Sequence, residues 1–501
     1  MTRLIKISIE KAFFVIFPFF ILLGVIALSV TRPLIPWDSW AYHFPFSAQL
    51  LQINNYSQSF ILDKTMQARY EGFPVMAEFL QGLLWLLTGR LSATALINSV
   101  SLTIFIGCAS RYGKVSFSLW VFGILSIPMI AFHALSTYID LFLGVGIAFQ
   151  YLSAVIIFRN VQEGQKYTHL IVWQCIYVLA AFMMGNTKMW APVMSLAMSL
   201  FLFLAMFLGR KKYLSKNIFY QIIFTLVIAS ILSSGSLIKN SIVHKNPIYP
   251  IEFTVNNLDI HLQGPEIGYQ NEPGYAENYG ILRRPIYFVL SITELDWTIR
   301  GVKPFYNLDM GTVEKPKNYS PARAGGWWGI DIALSISLVF ILWVSAKFKI
   351  ISCGSVSFFP ISLFCFLTVI TALMPQSHEL RYFLYWPILL IFNLAFLVRG
   401  LDLNRLVSVA LTILYAGLFF YSLFILRGET IESMLSYQTE QELIGIPANS
   451  AEIVAAKRLG GTCLGLSYAP NQFKYSAVLQ GGRYFIEQGW SGCTHYPEFT
   501  K

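Results

Sequence analysis

Apolar residues run in long stretches over most of the chain, each near or above the roughly 18 residues that cross a bilayer, with short polar punctuation between them. About eleven spans are expected, over 12–30, 92–110, 115–134, 140–158, 169–184, 190–209, 218–238, 330–346, 354–374, 383–398 and 407–426. No Lys, Arg, Asp or Glu falls in the middle of any of them. The first run follows a basic start (Arg3, Lys6, Lys11), is long for a signal-peptide core and has no small-residue cleavage site after it. It is expected to stay as a helix.

Three polar segments are too long to be turns. Segment 31–91 contains an apolar stretch, 73–88, that is short for a span and carries Glu78, which suits a helix lying in the interface. Segment 239–329 is rich in Pro, Gly, Asn and Tyr and reads as irregular, except for a helix-like 286–295. The third, 428–501, is polar enough to be a small soluble appendage. The pattern predicts an all-α polytopic membrane protein, with a transmembrane domain over 1–427 and a small external domain over 428–501.

Composition agrees, because 55% of the 501 residues are hydrophobic and 12% charged, where a soluble chain carries about a quarter charged. The net charge of +10 comes from short loops and forms no contiguous basic face, so nucleic acid is not an expected partner. With the N-terminus in the cytoplasm, Arg111/Lys114, Arg159/Lys166, Arg210/Lys211/Lys212/Lys216, Lys347/Lys349 and Arg399/Arg405 are all cytoplasmic. The short outer turns then hold only Lys188 and Arg381, as the positive-inside rule requires, in an inner or plasma membrane. An odd number of spans puts the C-terminus on the periplasmic or extracellular side. Cysteine spacing gives no zinc-ligand pattern. Cys463 and Cys493, alone in the external tail, are expected to bond to each other.

Ionisable residues collect at the outer ends of helices. They are Asp38 and His43 after the first span, Glu71 and Glu78 in the interfacial segment, His133 and Asp140, then Lys188, and His378, Glu379 and Arg381. Uncharged span centres argue against an ion-coupled transporter, which builds its sites at the midplane. Carboxylates, imidazoles and cations at one membrane level suit sugar transfer from a lipid-phosphate carrier, whose phosphate sits at the headgroups. Direct displacement needs a carboxylate to take the acceptor's proton and cations or a metal to hold the departing phosphate. Asp38 fits the first role; Lys188 and Arg381 fit the second. Each residue also has a plainer role: a helix cap for Asp38 and Asp140, the aromatic belt for His43, snorkelling for Lys188 and Arg381, and wetting for Glu71 and Glu78, whose spacing of seven places them two turns apart on one face of an interfacial helix.

The segment WDSWAYHFPFSAQLLQ, 37–52, resembles the opening motif of bacterial GT-C class glycosyltransferases, relatives of protein O-mannosyltransferases and the lipid A aminoarabinose transferase. Partial matches follow in order: YEGFPVMAEFLQGLLWLLTG, STYIDLFLG, GNTKMW, NPIYP and ELRYFLYWP. The resemblance implies a GT-C-like bundle whose domain 1–427 is catalytic, a polyprenyl-phosphate sugar donor, a hexosyl or pentosyl group moved with inversion, and a lipid, glycan or protein acceptor at the outer face. It implies Asp38 as base, with Asp140 as a second carboxylate and His43 beside them. Lys188, Arg381 and His378 would lie near the donor phosphate, and in some members a divalent metal is bound, for which Glu71 and Glu78 are the candidates here. Two departures stand out. Trp37 and Ser39 flank Asp38 where O-mannosyltransferases have a double acidic motif, and Glu71-Gly72-Phe73-Pro74 replaces the Glu-Lys-Pro run of the aminoarabinose transferases.

Three rivals remain at this level, one of them a catalytically dead scaffold or lipid-binding relative that turnover alone would separate. An O-antigen polymerase or ligase would use an Arg-rich outer loop, and Arg283/Arg284 lie in the second one. A lipid-linked oligosaccharide flippase would need a charged central cavity, which the uncharged spans do not supply.

Overall fold

A computed structural model describes residues 2–31, 33–34, 38–53, 64–113, 115–164, 167–213, 215–255, 260–267, 280, 282–292, 329–348, 358–377, 379–400, 407–423, 464–465 and 493–494. His378, Cys463 (and with it the expected Cys463–Cys493 bond) and nearly all of 428–501 lie outside the described residues. Of that last stretch, the strands β4 (Leu464–Gly465) and β5 (Cys493–Thr494) pair antiparallel.

The chain is an all-α polytopic membrane protein. Among the described residues, six helices are long and apolar enough to cross a membrane, seven if one bent pair counts as a single span. In order, α1 (Thr2–Thr31) is followed by α2 (Phe44–Leu51), α3 (Lys64–Gly72), α4 (Met76–Thr88) and α5 (Leu96–Gly113). Then come α6 (Phe117–Leu125), α7 (Pro128–Leu135), α8 (Asp140–Gln162), α9 (Tyr167–Gly185), α10 (Ala191–Tyr213), α11 (Lys216–Ser233) and α12 (Gly235–Val243). The strands β1 (Ile251–Val255), β2 (Ile260–Leu262) and β3 (Glu266–Ile267) intervene. The last helices are α13 (Arg283–Ile292), α14 (Gly329–Lys347), α15 (Phe359–Leu373), α16 (Tyr385–Gly400) and α17 (Val407–Leu423).

Helix α8 is the centre of the bundle. It is 78% buried against 17% for the α1 span, and it packs on α5, α9, α10 and α16. That difference makes α8 a protein-facing scaffold and α1 a largely lipid-facing helix.

The structure alters three expectations. The predicted span 115–134 is broken, because α6 and α7 meet at 92°. Pro128 opens α7 and has no N–H to extend α6. Neighbours satisfy the polar groups at the break: Ser126 Oγ donates to Asp331 Oδ2 at 2.8 Å, and Ser422 Oγ donates to the Ser126 carbonyl at 3.1 Å. Second, the interfacial helix starts at Met76, so Glu71 on α3 and Glu78 on α4 are not two turns apart on one face. Pro74 separates the two helices, since it disfavours helical backbone at Phe73. Third, segment 239–329 is not wholly irregular. It holds a three-stranded sheet, with β1 antiparallel to β2 and parallel to β3. The expected helix 286–295 is present as Arg283–Ile292 and begins three residues earlier; 293–295 lie outside the described residues.

Candidate active site

The short turn before α8 is fixed from three sides. Asn98 on α5 donates through Nδ2 to the carbonyls of Ser136 (2.9 Å) and Tyr138 (2.5 Å), and its Oδ1 accepts from the Phe142 N–H at 2.8 Å. Asn98 therefore caps α8 from another helix, satisfying one of its orphan donors. Gln81 on α4 donates to the Thr137 carbonyl at 2.7 Å. Ile139 is the N-cap of α8 and makes no side-chain cap bond, and Asp140 is the acidic residue of the first turn. It stands at the positive end of the helix dipole, as the plainer reading has it, and its carboxylate accepts from Lys188 Nζ.

Lys188 sits in the tight turn between α9 and α10. There the Asn186 carbonyl accepts from the Met76 N–H at 2.8 Å, and Asn186 Nδ2 donates to the Leu232 carbonyl at 2.9 Å. At the foot of this turn, a Cβ on Gly185 would lie 2.2 Å from the Ser233 carbonyl oxygen, so only glycine lets α9 and α11 approach this closely.

Asp38 precedes a one-turn π-helix, Ser39–His43, whose end is marked by the Phe44 N–H donating to the Ser39 carbonyl. The first loop is stitched to the turn before α8. Leu34 N–H donates to the Leu135 carbonyl (2.9 Å), Thr137 N–H to the Leu34 carbonyl (2.9 Å), and Thr137 Oγ1 to Ser39 Oγ (2.6 Å). These bonds hold Asp38 over the opening turn of α8.

Arg381 comes from a short 3-10 turn, Leu380–Phe383, just before α16. Its Nη1 donates to Asp38 Oδ2 at 2.8 Å. The side chains of this pair are only 12% and 16% exposed, and Asp140 is 2% exposed. Two carboxylates and two cations are thus withdrawn from water as a locally neutral set. Buried charges persist only when paired in this way.

Tyr382 joins the two pairs. Lys188 Nζ lies 3.8 Å from the centre of its ring and the Arg381 guanidinium carbon 5.0 Å from it, while Tyr138 faces the same guanidinium at 5.0 Å. Arg381 Nη2 also donates to the Tyr382 hydroxyl at 3.2 Å, whereas its buried Nε has no hydrogen-bond partner.

Burial lowers the Lys188 pKa, Asp140 opposes the shift and Arg381 adds to it. For Arg381, burial acts downward but is outweighed by Tyr382, Asp38, Tyr138 and Asp140, so its pKa is raised well above the usual value. Burial, followed by the Asp38 charge, raises the Tyr42 phenol well above its usual range. Tyr42 therefore stays a neutral hydrogen-bond donor beside Asp38.

His43 and Glu78 form a separate buried pair, His43 Nδ1 donating to Glu78 Oε1 at 2.7 Å. Glu78 Oε2 is buried without a partner. Glu71 accepts from Gln67 Nε2 at 2.7 Å, and its carbonyl accepts from Lys239 Nζ. The two glutamates do not share a ligand set. Among the described residues no three His, Cys, Asp or Glu converge where they could hold a metal ion. The described side chains around Glu71 and Glu78 do not fit a metal.

The structure thus brings together Asp38, Asp140, Lys188 and Arg381 and sets His43 with Glu78 beside them. Tyr42, Tyr138 and Tyr382 were not singled out from the sequence. Tyr138 and Tyr382 lie inside the motifs STYIDLFLG and ELRYFLYWP, next to the charged residues those motifs contribute, and that adjacency was the available signal.

No family model matches this chain, and no curated protein does. Two solved structures are similar to it. They are ArnT from Cupriavidus metallidurans in the apo state (TM-score 0.48, 13% identity, covering 95% of this chain and 76% of that one) and the same protein bound to undecaprenyl phosphate (TM-score 0.48, 14% identity, covering 95% and 77%).

Proposed function

We propose that this chain is a GT-C class glycosyltransferase that moves one sugar from a polyprenyl-phosphate donor to an acceptor at the outer face of the inner or plasma membrane. The observation that carries this reading is the pair of interlocked buried ion pairs, Asp38–Arg381 and Asp140–Lys188, bridged by Tyr382.

In this arrangement each carboxylate is masked by a cation that also suits a phosphate. A guanidinium offers a planar fork to phosphate oxygens, and an ammonium a compact charge. Arg381 Nε, buried and unpartnered, is a donor that a phosphate oxygen satisfies. When the donor's phosphate takes over Arg381 and Lys188, the Asp38 carboxylate is released. It then accepts the proton of the acceptor hydroxyl as that oxygen bonds to the anomeric carbon. The bond from that carbon to the phosphate oxygen breaks with inversion, and the polyprenyl phosphate leaves against the two cations. Asp140 stays on α8 and holds Lys188 at the phosphate.

The reading is tested by incubating purified, lipid-reconstituted protein with a panel of radiolabelled sugars on undecaprenyl phosphate and an envelope lipid and glycan extract. Transfer of label from at least one donor, with release of undecaprenyl phosphate, is expected. No transfer from any polyprenyl-phosphate donor, together with no binding of undecaprenyl phosphate, would contradict it.

A further inference from the structure

Arg381 and Lys188 each touch an aromatic ring as well as a carboxylate, and two short stretches of chain supply most of these contacts. The turn before α8 puts the Tyr138 ring 5.0 Å from the Arg381 guanidinium carbon and, two residues on, the Asp140 carboxylate on Lys188. The 3-10 turn before α16 supplies Arg381 itself and, next to it, the Tyr382 ring, 5.0 Å from the guanidinium carbon and 3.8 Å from the ammonium. A ring attracts a cation through its quadrupole and leaves the charge in place. A carboxylate in the same position would compete with a phosphate for that charge.

Tyr138 is itself fixed from two directions. Its carbonyl accepts from Asn98 Nδ2 at 2.5 Å, and the buried ring of His133, at the end of α7, stacks on its own buried ring with centroids 5.0 Å apart and planes 26° from parallel. A group that sets the position of another needs such support behind it.

We propose that Tyr138 is a positioning residue for the transfer: its ring, with that of Tyr382, keeps the Arg381 guanidinium in place while the cation exchanges Asp38 for the donor phosphate. This assignment rests on the transferase reading. In the free protein Asp38 and the rings hold Arg381 together, with Nη1 on the carboxylate and Nη2 on the Tyr382 hydroxyl. When the carboxylate lets go, the tyrosines keep the arm where the phosphate meets it. Without Tyr138 the phosphate has to order a long, loose side chain itself, which weakens binding.

The test titrates undecaprenyl phosphate onto purified full-length protein in detergent and records a melting curve for each variant. Tyr138→Phe keeps the ring and should bind as its parent does, both with Asp38 present and in the Asp38→Asn background. Tyr138→Leu should cost about twofold or less while Asp38 is present. In the Asp38→Asn background it should cost on the order of tenfold, the upper scale of ordering one long side chain. That dependence on background separates positioning from packing, because a packing defect independent of Asp38 costs the same in both. Equal losses in both backgrounds, no loss in either, or a loss in Tyr138→Phe as large as in Tyr138→Leu would overturn the proposal. If Tyr138→Leu does not melt cooperatively, a trifluorinated phenylalanine at position 138 replaces it, since fluorine keeps the shape and weakens the negative face of the ring. Its binding in the Asp38→Asn background should fall below that of Tyr138→Phe, and equal binding would overturn the proposal. A wild type that does not bind undecaprenyl phosphate at all would overturn the transferase reading, and this assignment with it.

Discussion

Asp38 and Arg381 are 343 positions apart in the chain yet share a hydrogen bond of 2.8 Å. A cation of this kind has two partners to choose between, its carboxylate and the donor's phosphate, and the exchange is the chemistry proposed here. Lys188 adds a dependence on pH. Its pKa is lowered first by burial and then by Arg381, with Asp140 opposing. The ammonium is therefore lost as pH rises through a value below that of a free lysine, and donor use should fall on the alkaline side. Lys188→Arg keeps its charge to higher pH, so the alkaline limb of kcat/KM should move upward in a pH profile. An unmoved limb would assign the titration elsewhere. Lys188→Ala leaves Asp140 buried and unpaired, and should both weaken donor use and destabilise the protein by about 3–5 kcal/mol.

At the scale of elements, the site depends on how closely α8 approaches α16. A Cβ on Gly144, one turn after Asp140, would lie 2.9 Å from the Tyr385 nitrogen and 3.2 Å from Leu384 Cβ. Gly144→Ala must push these helices apart, separating Asp140 from the turn that carries Arg381. We expect a loss of about 1–3 kcal/mol in stability, as for overpacking, with reduced transfer at saturating donor. Gly107 on α5 has nothing within 4 Å of its would-be Cβ, so Gly107→Ala should be neutral in the same thermal-unfolding and transfer assays. Equal behaviour of the two variants would remove the close-approach argument. The long spanning helices were legible in the sequence because each is a long apolar run, whereas short ones such as α2 and α3 were not. The break at Ser126–Pro128 was not, since an apolar run on both sides of a proline reads as one span. The separation of Glu71 from Glu78 was missed for a related reason: spacing by seven suggests one face only when a single helix carries both. Which residues pair was also illegible, because Asn98 caps α8 and Asp140 meets Lys188 through tertiary contacts that no local pattern encodes.

For the whole molecule, their places at the outer ends of the expected spans put Asp38, Asp140, Lys188 and Arg381 at one level of the membrane, and in the structure they do meet. Their masking of one another was not foreseen, because a sequence shows charges without their partners. The side of the membrane on which they meet rests on the excess of Lys and Arg in the alternate loops. A fusion of alkaline phosphatase after Lys501 should be active and a cytoplasmic reporter at the same place inactive. The reverse result would put the cluster in the cytoplasm and end the outer-face proposal. The central claim is that Asp38 is both the base and the group that the donor phosphate displaces from Arg381. Asp38→Asn keeps the shape and removes the charge, and the measurement is single-turnover transfer together with donor binding, by purified wild type and variant with the same lipid-linked sugar. Transfer should slow on the order of 100-fold or more, while donor binding stays equal or tightens because a competitor for Arg381 has gone. Comparable transfer rates, or loss of donor binding along with transfer, would contradict the account.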